Sequence, residues 1–351
     1  MTEFRRRDSA PATPRAASRR GPSMSDVAKL AGVSSQTVSR VSNGHSNVDS
    51  QTRERVVAAM RELDYRPNGA ARALKRGSYN SIGVIVFALS SVGNLRTLHA
   101  VSAAASDAGY AVNLIPVAHP TPEEVSVAFS SLGEHAVDGI IVIIESHLLR
   151  SAEFEVPLGI PVVIMDSIAR DDLPIVDNDQ FLGARQATEH LLSLGHKNVW
   201  HIAGPAKSIS SVQREASWRE VLTEAGITPP EVLYGDWSAD SGYTHGLTLA
   251  KMPEVTAVFA GNDQMALGVM RAMHENNRPV PQNVSIVGFD DIDEAGNFWP
   301  PLTTVRQDFT EAGIRGVAAL ISAIHHEKFD HRPPSVPTTF IVRGSTAPPP
   351  A

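Results

Sequence analysis

The sequence predicts a small all-α head followed by a larger α/β body built of two parallel-sheet subdomains. Three observations predict this. Charge divides the chain: residues 1–77 carry 15 Lys/Arg against 7 Asp/Glu, while the whole chain holds 31 against 38. Short helical patterns fill 24–63. From about 80 onward, β-rich apolar runs alternate with stretches suited to helices. A length of 351 residues admits about two domains of roughly 100–200 residues each. At 42% hydrophobic residues the chain has ample material for a core, which excludes disorder throughout. The absence of cysteine excludes a disulfide scaffold, a zinc ribbon and a Cys nucleophile, and fits a cytoplasmic protein. No run approaches the ~18 uncharged apolar residues of a membrane span. No apolar segment follows the N-terminal charges, so neither a membrane anchor nor a secretory signal is expected.

Taken in order, residues 1–22 are rich in Arg, Ala, Pro and Ser and read as a disordered leader. Ser23 and Asp26 form a box-like start for a first helix, whose Val27, Ala28, Leu30 and Ala31 share an apolar face. Gly32-Val33 breaks it. Ser34 caps a second helix with Val38 and Val41 inward and Ser35, Gln36, Thr37 and Arg40 outward. Asp49 caps a third, carrying Val56, Val57, Ala59, Met60 and Leu63. Helix, Gly-bearing turn, helix over 23–66 is the geometry of a helix-turn-helix. Gln pairs with adenine edges and Arg with guanine edges, while Ser and Thr meet phosphates or bases. A structural helix exposes the same residues to water. The basic end likewise fits either a polyanion partner or a solvated tail.

In the body, strands are expected at 82–89, 110–117, 138–144, 162–167, 199–204, 257–261 and 284–289. Helices are expected at 95–108, 179–194, 209–226, 262–276 and 308–326. Continuous apolar strands alternating with helices indicate parallel sheets covered on both faces. More than ~250 residues of this pattern exceed one open sheet, so two subdomains are expected. Ligands in such folds sit beyond the carboxyl ends of the strands.

The strings DVAKLAGVSSQTVSRVSNG (26–44) and TRERVVAAMRELDYRPNGAARAL (52–74) resemble the DNA-binding head and hinge of the LacI/GalR family of bacterial transcriptional regulators. The body adds GHKNVWHIAGP (195–205), GDWSADSGY (235–243), GNDQMALGVMRAM (261–273), VSIVGFDDID (284–293) and PPLTTVRQDF (300–309), in the family's order. The resemblance covers about 23–345. It implies a periplasmic-binding-protein-like (type I) body over 79–345, with an N-subdomain of about 79–178 and 307–336. The C-subdomain is about 179–306 and 337–345, followed by a tail of 346–351. It further implies a homodimer that binds near-palindromic double-stranded operator DNA and responds to a small molecule. Ser35, Gln36 and Arg40 are the implied base readers, with Ser34, Thr37 and Asn43 positioning the backbone. A hinge helix or linker at 67–78, capped by Asn68, folds in the minor groove with Leu74 wedged between bases; otherwise Leu74 is a linker hydrophobe.

For the effector the expected set is Asp166, Ser208, Ser210, Arg214, Trp237, Asn262, Asp290, Gln307 and Phe309. Phe87, Ser91, Gly93 and Asn94 form the opposite lip. Carboxylates accept from hydroxyls, Arg and Asn bridge oxygens, and an indole packs on a ring face, which suits a mono- or disaccharide. A purine-responsive, co-repressed regulator is the alternative, because Arg and Asp also read purine edges. Internally, Arg214 pairing with an acid or Trp237 in the core would explain the same residues. An enzyme lacks support: there is no GxSxG, HExxH, Walker loop or GxGxxG in context. His325, His326 and His331 have no further ligand at a suitable spacing, so neither metal nor cofactor is expected. A secreted sugar receptor would need an export signal and has no use for the head. The ending GSTAPPPA carries no leucine heptad, so a dimer is expected, with helix 95–108, 265–300, Phe298 and Trp299 at its interface.

Overall fold

Ser23 opens the head with a reciprocal box. Its Oγ accepts from Asp26 N at 3.3 Å, and its own N–H donates to the Asp26 carboxylate at 2.8 Å, starting α1 (Met24–Ala31). Gly32 ends the helix at φ +66°, a left-handed conformation that suits glycine. Ser34 Oγ accepts from Thr37 N at 3.1 Å and caps α2 (Ser35–Ser42), while Asp49 caps α3 (Ser50–Glu62) through Thr52 N at 2.9 Å. Val27, Ala28, Ala31, Val38, Val41, Val56 and Ala59 make the core of the bundle. Leu30 departs from the expected face and is 46% exposed. At about 100° per residue it lies off the stripe of Val27, Ala28 and Ala31.

In this computed structural model the described residues are 21–66, 77–87, 89, 91–118, 121–134, 136–143, 159–165, 173–327 and 334–350. Residues 67–76 of the expected hinge, with Asn68 and Leu74, lie outside them, as do 1–20 of the leader and Asp166. The chain divides into two compact units, Met1–Gly77 and Ser78–Ala351.

The second unit holds two lobes. The first carries β1 (Ser81–Phe87), β2 (Ala111–Val117), β3 (Gly139–Ile143), β4 (Val162–Met165) and β5 (Ile175–Val176) in one parallel sheet, ordered β2-β1-β3-β4-β5. Helices α4 (Val92–Asp107), α5 (Pro122–Glu134) and α10 (Phe309–Ile324) cover it. β1 reads as a continuous apolar run because both faces are covered. Gly83 on β1 lets Leu132 lie flat on the sheet, where a Cβ would stand 2.5 Å from the leucine.

The second lobe has β6 (Trp200–Ala203), β7 (Leu233–Tyr234), β8 (Ala257–Ala260) and β9 (Ser285–Val287), ordered β7-β6-β8-β9 and parallel. Its helices are α6 (Gln180–Ser193), α7 (Ile209–Glu224), α8 (Ala239–Leu249) and α9 (Asp263–Glu275). An antiparallel pair, β10 (Thr304–Arg306) and β11 (Thr339–Ile341), adjoins β9 through the bridges Val287–Thr303 and Asp290–Arg306. This pair, together with β5, β7, α5 and α8, is additional to the elements expected from the sequence. Trp218 is fully buried with its ring tilted against His201, while Trp200 is half-buried against the lobe's other core face. Burial between aromatic rings pushes His201 down to about 4, so it is neutral.

Helices α8 and α9 cross at glycine. A Cβ on Gly268 would meet Ala239 O at 2.0 Å and Tyr243 N at 2.5 Å, both backbone atoms that have nowhere to go. Gly268→Ala gains about 1 kcal/mol of helix propensity but overpacks the crossing by about 1–3 kcal/mol or more. The expected result is a lower urea midpoint for the body at unchanged slope. A variant as stable as the parent would refute the close crossing.

Candidate functional site

Between the lobes lies a narrow cleft, whose empty space is about 520 Å³ with the open solvent at its mouth included. It opens at the carboxyl ends of the strands, as parallel sheets require. From the first lobe come Met165 at the end of β4, Val176, Asp177 and Asn178 around the end of β5, and the start of α4. From the second come Ser210 and Arg214 on α7, Trp237 after β7, Asn262 after β8 and Asp290 after β9. Gln307 follows β10 and Phe309 begins α10, where the chain crosses back to the first lobe.

Arg214 is the centre of this set. It is 4% exposed, with its guanidinium 3.7 Å from the Phe289 ring centroid and 5.3 Å from that of Trp237. Its Nε donates to Gln180 Oε1 at 2.9 Å, Nη1 donates to Gly261 O, and Nη2 lies 3.7 Å from Asp290 Oδ1. Gln307 Nε2 donates to the same Asp290 oxygen at 2.6 Å. Burial pushes the Asp290 carboxyl up, opposed by Arg214, the Gln307 hydrogen bond and Arg96. Asp290 sits at φ +105° and Trp237 at φ +71°, backbone conformations that bulky L-residues rarely adopt. Gly204 makes room for the indole: a Cβ there would stand 2.2 Å from Trp237.

Asn262 does two jobs. Its Oδ1 caps α9 by accepting from Met265 N at 2.9 Å, and its Nδ2 donates to Trp237 O at 3.0 Å. Trp237 Nε1 and Asn178 Oδ1 are buried without a hydrogen-bond partner among the described residues. Both belong to residues lining the cleft, so the site holds an unmet donor and an unmet acceptor. Ser208 does not line it; this residue precedes α7 and its Oγ lies 3.0 Å from Ser210 Oγ, which does. On the opposite lip, Ser91 and Gly93 line the cleft, but Phe87 is buried in the sheet core. Asn94 turns inward to donate to Phe87 O at 2.5 Å, tying the start of α4 to the end of β1.

The lobes are also tied at the mouth. Arg96 on α4 donates to Asp291 O at 3.1 Å and to Asp293 Oδ1 at 2.7 Å on the second lobe. Asp291 is gripped by Arg343 at 2.6 Å and Arg306 at 2.7 Å, and these bonds overcome its burial and hold it below the usual carboxylate range. In the head, Ser35, Gln36 and Arg40 are exposed on α2. Ser34 is the N-cap of that helix, Thr37 its hydrogen-bond partner, and Asn43 the C-cap, with Nδ2 bonded to Ser39 Oγ at 3.3 Å. Among the described residues no His/Asp/Glu group could hold a metal ion.

The family model of the bacterial regulatory proteins of the lacI family matches residues 23–68, and that of a periplasmic binding protein-like domain matches 188–346. The lactose operon repressor of Escherichia coli (strain K12) is 36% identical over 298 residues, 84% of this chain and 83% of the repressor. This chain belongs to the lacI family of bacterial regulatory proteins. The PurR transcriptional repressor of Haemophilus influenzae (strain ATCC 51907 / DSM 11121 / KW20 / Rd) is 34% identical to this regulator over 309 residues, 86% and 91% of the two chains. A solved lac repressor dimer bound to operator and the anti-inducer ONPF superposes with a TM-score of 0.85 at 33% identity, covering 93% of this regulator and all of that chain. The transcriptional regulator CelR in complex with cellobiose gives 0.70 at 31% identity, over 92% and 99%. The regulator thus has a helix-turn-helix head and a type I periplasmic-binding-like body, and these relatives are repressors rather than enzymes. Among the described residues no helix is long and apolar enough to cross a membrane.

Three polar residues after β5 escaped the sequence reading: Asp177 and Asn178, which line the cleft, and Gln180, which bonds to its Arg214 and Gln307. They follow β5, which at two residues is too short to show a period, so the rule of strand ends had nothing to act on.

Behind the cleft, Asp263 accepts from Thr304 Oγ1 at 2.6 Å and Ile292 N at 2.8 Å. Burial, reinforced by Asp290, pushes it up to about 8. An unfolded Asp titrates near ~4. Between these values the folded chain therefore holds a proton that the unfolded chain has released, and stability falls as pH rises through that window. Asp263→Asn keeps the shape without the titration and should flatten this part of the melting-temperature profile from pH 5 to 8. An unchanged slope would assign the pH dependence to other groups.

Proposed function

We propose that this regulator is a homodimeric repressor whose grip on a near-palindromic operator changes when a mono- or disaccharide enters the cleft. The observation that carries the saccharide is the internal match of Arg214 by Asp290 at 3.7 Å. Because that positive charge is already answered and Asp177 adds a further acid to the lining, the cleft favours uncharged hydroxyls over an anionic group. Neighbouring hydroxyls both donate to a carboxylate and accept from a guanidinium, and the unmet Trp237 N–H and Asn178 carbonyl extend the same pattern. Val92, Met165, Val176 and Phe309 supply the apolar wall for a ring face. The cellobiose complex of CelR supports the same ligand class.

For DNA, the reading places Ser35, Gln36 and Arg40 of α2 in the major groove, with Ser34, Thr37 and Asn43 toward the backbone and Asn68 and Leu74 in the hinge. The lac repressor dimer on its operator supports this arrangement. A dimer contact near Phe298 and Trp299 is supported by Trp299, which is 94% exposed although large and apolar. Asp166 belongs to the proposed ligand set by its place after β4. In this reading the Arg96 tie to Asp291 and Asp293 holds the lobes closed, and effector binding works with or against it. A coupling of about 1–3 kcal/mol is typical of such switches.

Melting of the full chain against a panel of sugars and nucleobases tests the ligand class. A true effector stabilises by RT ln(1 + [L]/Kd), about 2.7 kcal/mol at a hundredfold excess over Kd. A response to nucleobases alone would replace the saccharide with a purine. Arg214→Ala is expected to abolish the effector's influence on operator binding, measured by gel shift, while operator binding itself persists. Gln36→Ala is expected to relax operator choice at one base position by about 1–3 kcal/mol. Equal weakening on operator and random DNA would make Gln36 a phosphate contact instead.

A further inference from the structure

Gln180 is 2% exposed and begins α6, next to Asp179, whose carboxylate caps that helix through Leu182 N at 2.8 Å. Its carboxamide sits between two cleft residues: Oε1 accepts from Arg214 Nε at 2.9 Å and Nε2 donates to Gln307 Oε1 at 2.8 Å. Gln307 Nε2 then donates to Asp290 Oδ1 at 2.6 Å, and that oxygen lies 3.7 Å from Arg214 Nη2. Four buried side chains thus close a ring.

The guanidinium dictates the polarity around it. Arg214 only donates, so Gln180 must turn its oxygen toward it and its NH2 toward Gln307. Gln307 must then offer its oxygen to Gln180 and its NH2 to Asp290, whose Oδ1 is left no role but acceptor. Reversing either amide would set oxygen against oxygen or nitrogen against nitrogen in a buried site.

We propose that Gln180 is a positioning residue that sets the donor–acceptor polarity of the effector cleft, forcing Gln307 to donate to Asp290 Oδ1 and so favouring the accepting form of that carboxyl. This rests on the cleft being the effector site, and it adds a rule for the ligand: a hydroxyl or N–H toward Asp290 and an acceptor oxygen toward Arg214. The charged groups around Asp290 are Arg214 on α7, Arg96 on α4, Asp263 on α9 and the adjacent Asp291. A change at Gln180 removes no charge from this set, and only Arg214, whose Nε donates to Gln180, loses a contact in Gln180→Met.

The test needs no effector. In full chain carrying 13C-labelled Asp carboxyls, the Asp290 signal, assigned by its loss in Asp290→Asn, is followed from pH 5 to 9. Gln180→Met keeps the bulk but frees Gln307 to turn, and the Asp290 midpoint should rise by about one pH unit, tenfold in its ionisation constant. Gln180→Glu still accepts from Arg214 but has no donor for Gln307 unless the new carboxyl is protonated, so the ring is one proton short. The melting temperature of Gln180→Glu should match the parent near pH 5 and fall progressively below it as pH rises, because its folded state retains a proton lost on unfolding. This second readout stands even where Gln180→Met does not fold. An unmoved Asp290 midpoint in Gln180→Met, or a pH-independent melting difference in Gln180→Glu, overturns the proposal. Absence of any sugar response would overturn the saccharide reading alone and leave the Asp290 titration in force.

Discussion

Everything in the cleft answers to one buried cation. A guanidinium taken out of water is costly unless its N–H groups and its charge find partners, and removing such a partner costs far more than the pair contributes. Arg214 is held by the Gln180 carboxamide, the Gly261 carbonyl, the Phe289 ring and the Asp290 carboxylate. These come from α6, the end of β8 and the end of β9, so the charge clamps the strand ends of the second lobe together. The strained backbones of Trp237 and Asp290 border the same space, consistent with a site whose geometry is enforced by its surroundings.

The three acids around β9 illustrate how environment divides identical chemistry. Asp290 faces Arg214 and Gln307 in the cleft, Asp291 is clasped by Arg306 and Arg343, and Asp263 is buried behind with only neutral donors. Burial pushes Asp263 and Asp290 up, while two arginines bring Asp291 down. Arg96 reaches from the other lobe to the backbone of this same segment. The turn after β9 therefore places a cleft-lining carboxylate and a tie between the lobes within a few residues, and under the proposed function this is the coupling that a switched regulator requires.

Much of the fold was legible. Capping residues Ser23, Ser34 and Asp49 announced the three head helices because a cap is a local matter between a side chain and an amide three residues on. Apolar runs announced β1, β3 and β4 because strands covered on both faces lack polar interruptions. The two-residue β5 and β7 gave no such signal, and the antiparallel β10–β11 pair depends on residues more than thirty positions apart. Leu30 was misjudged from a one-face count in a helix of only two turns.

Sequence alone determined the order of the parts: a basic helical head, an acidic α/β body, and polar residues such as Arg214, Asn262 and Asp290 stationed where strands end. Those are properties of short windows, set by period, caps and composition. Tertiary structure alone decided which of the polar residues meet. Ser208 backs Ser210, Asn94 turns from the lip to bind Phe87 O, and Gln180, unremarkable in its string, stands between Arg214 and Gln307. The physical reason is that a buried donor must find its acceptor in space, and across a two-lobed fold that acceptor lies far away along the chain.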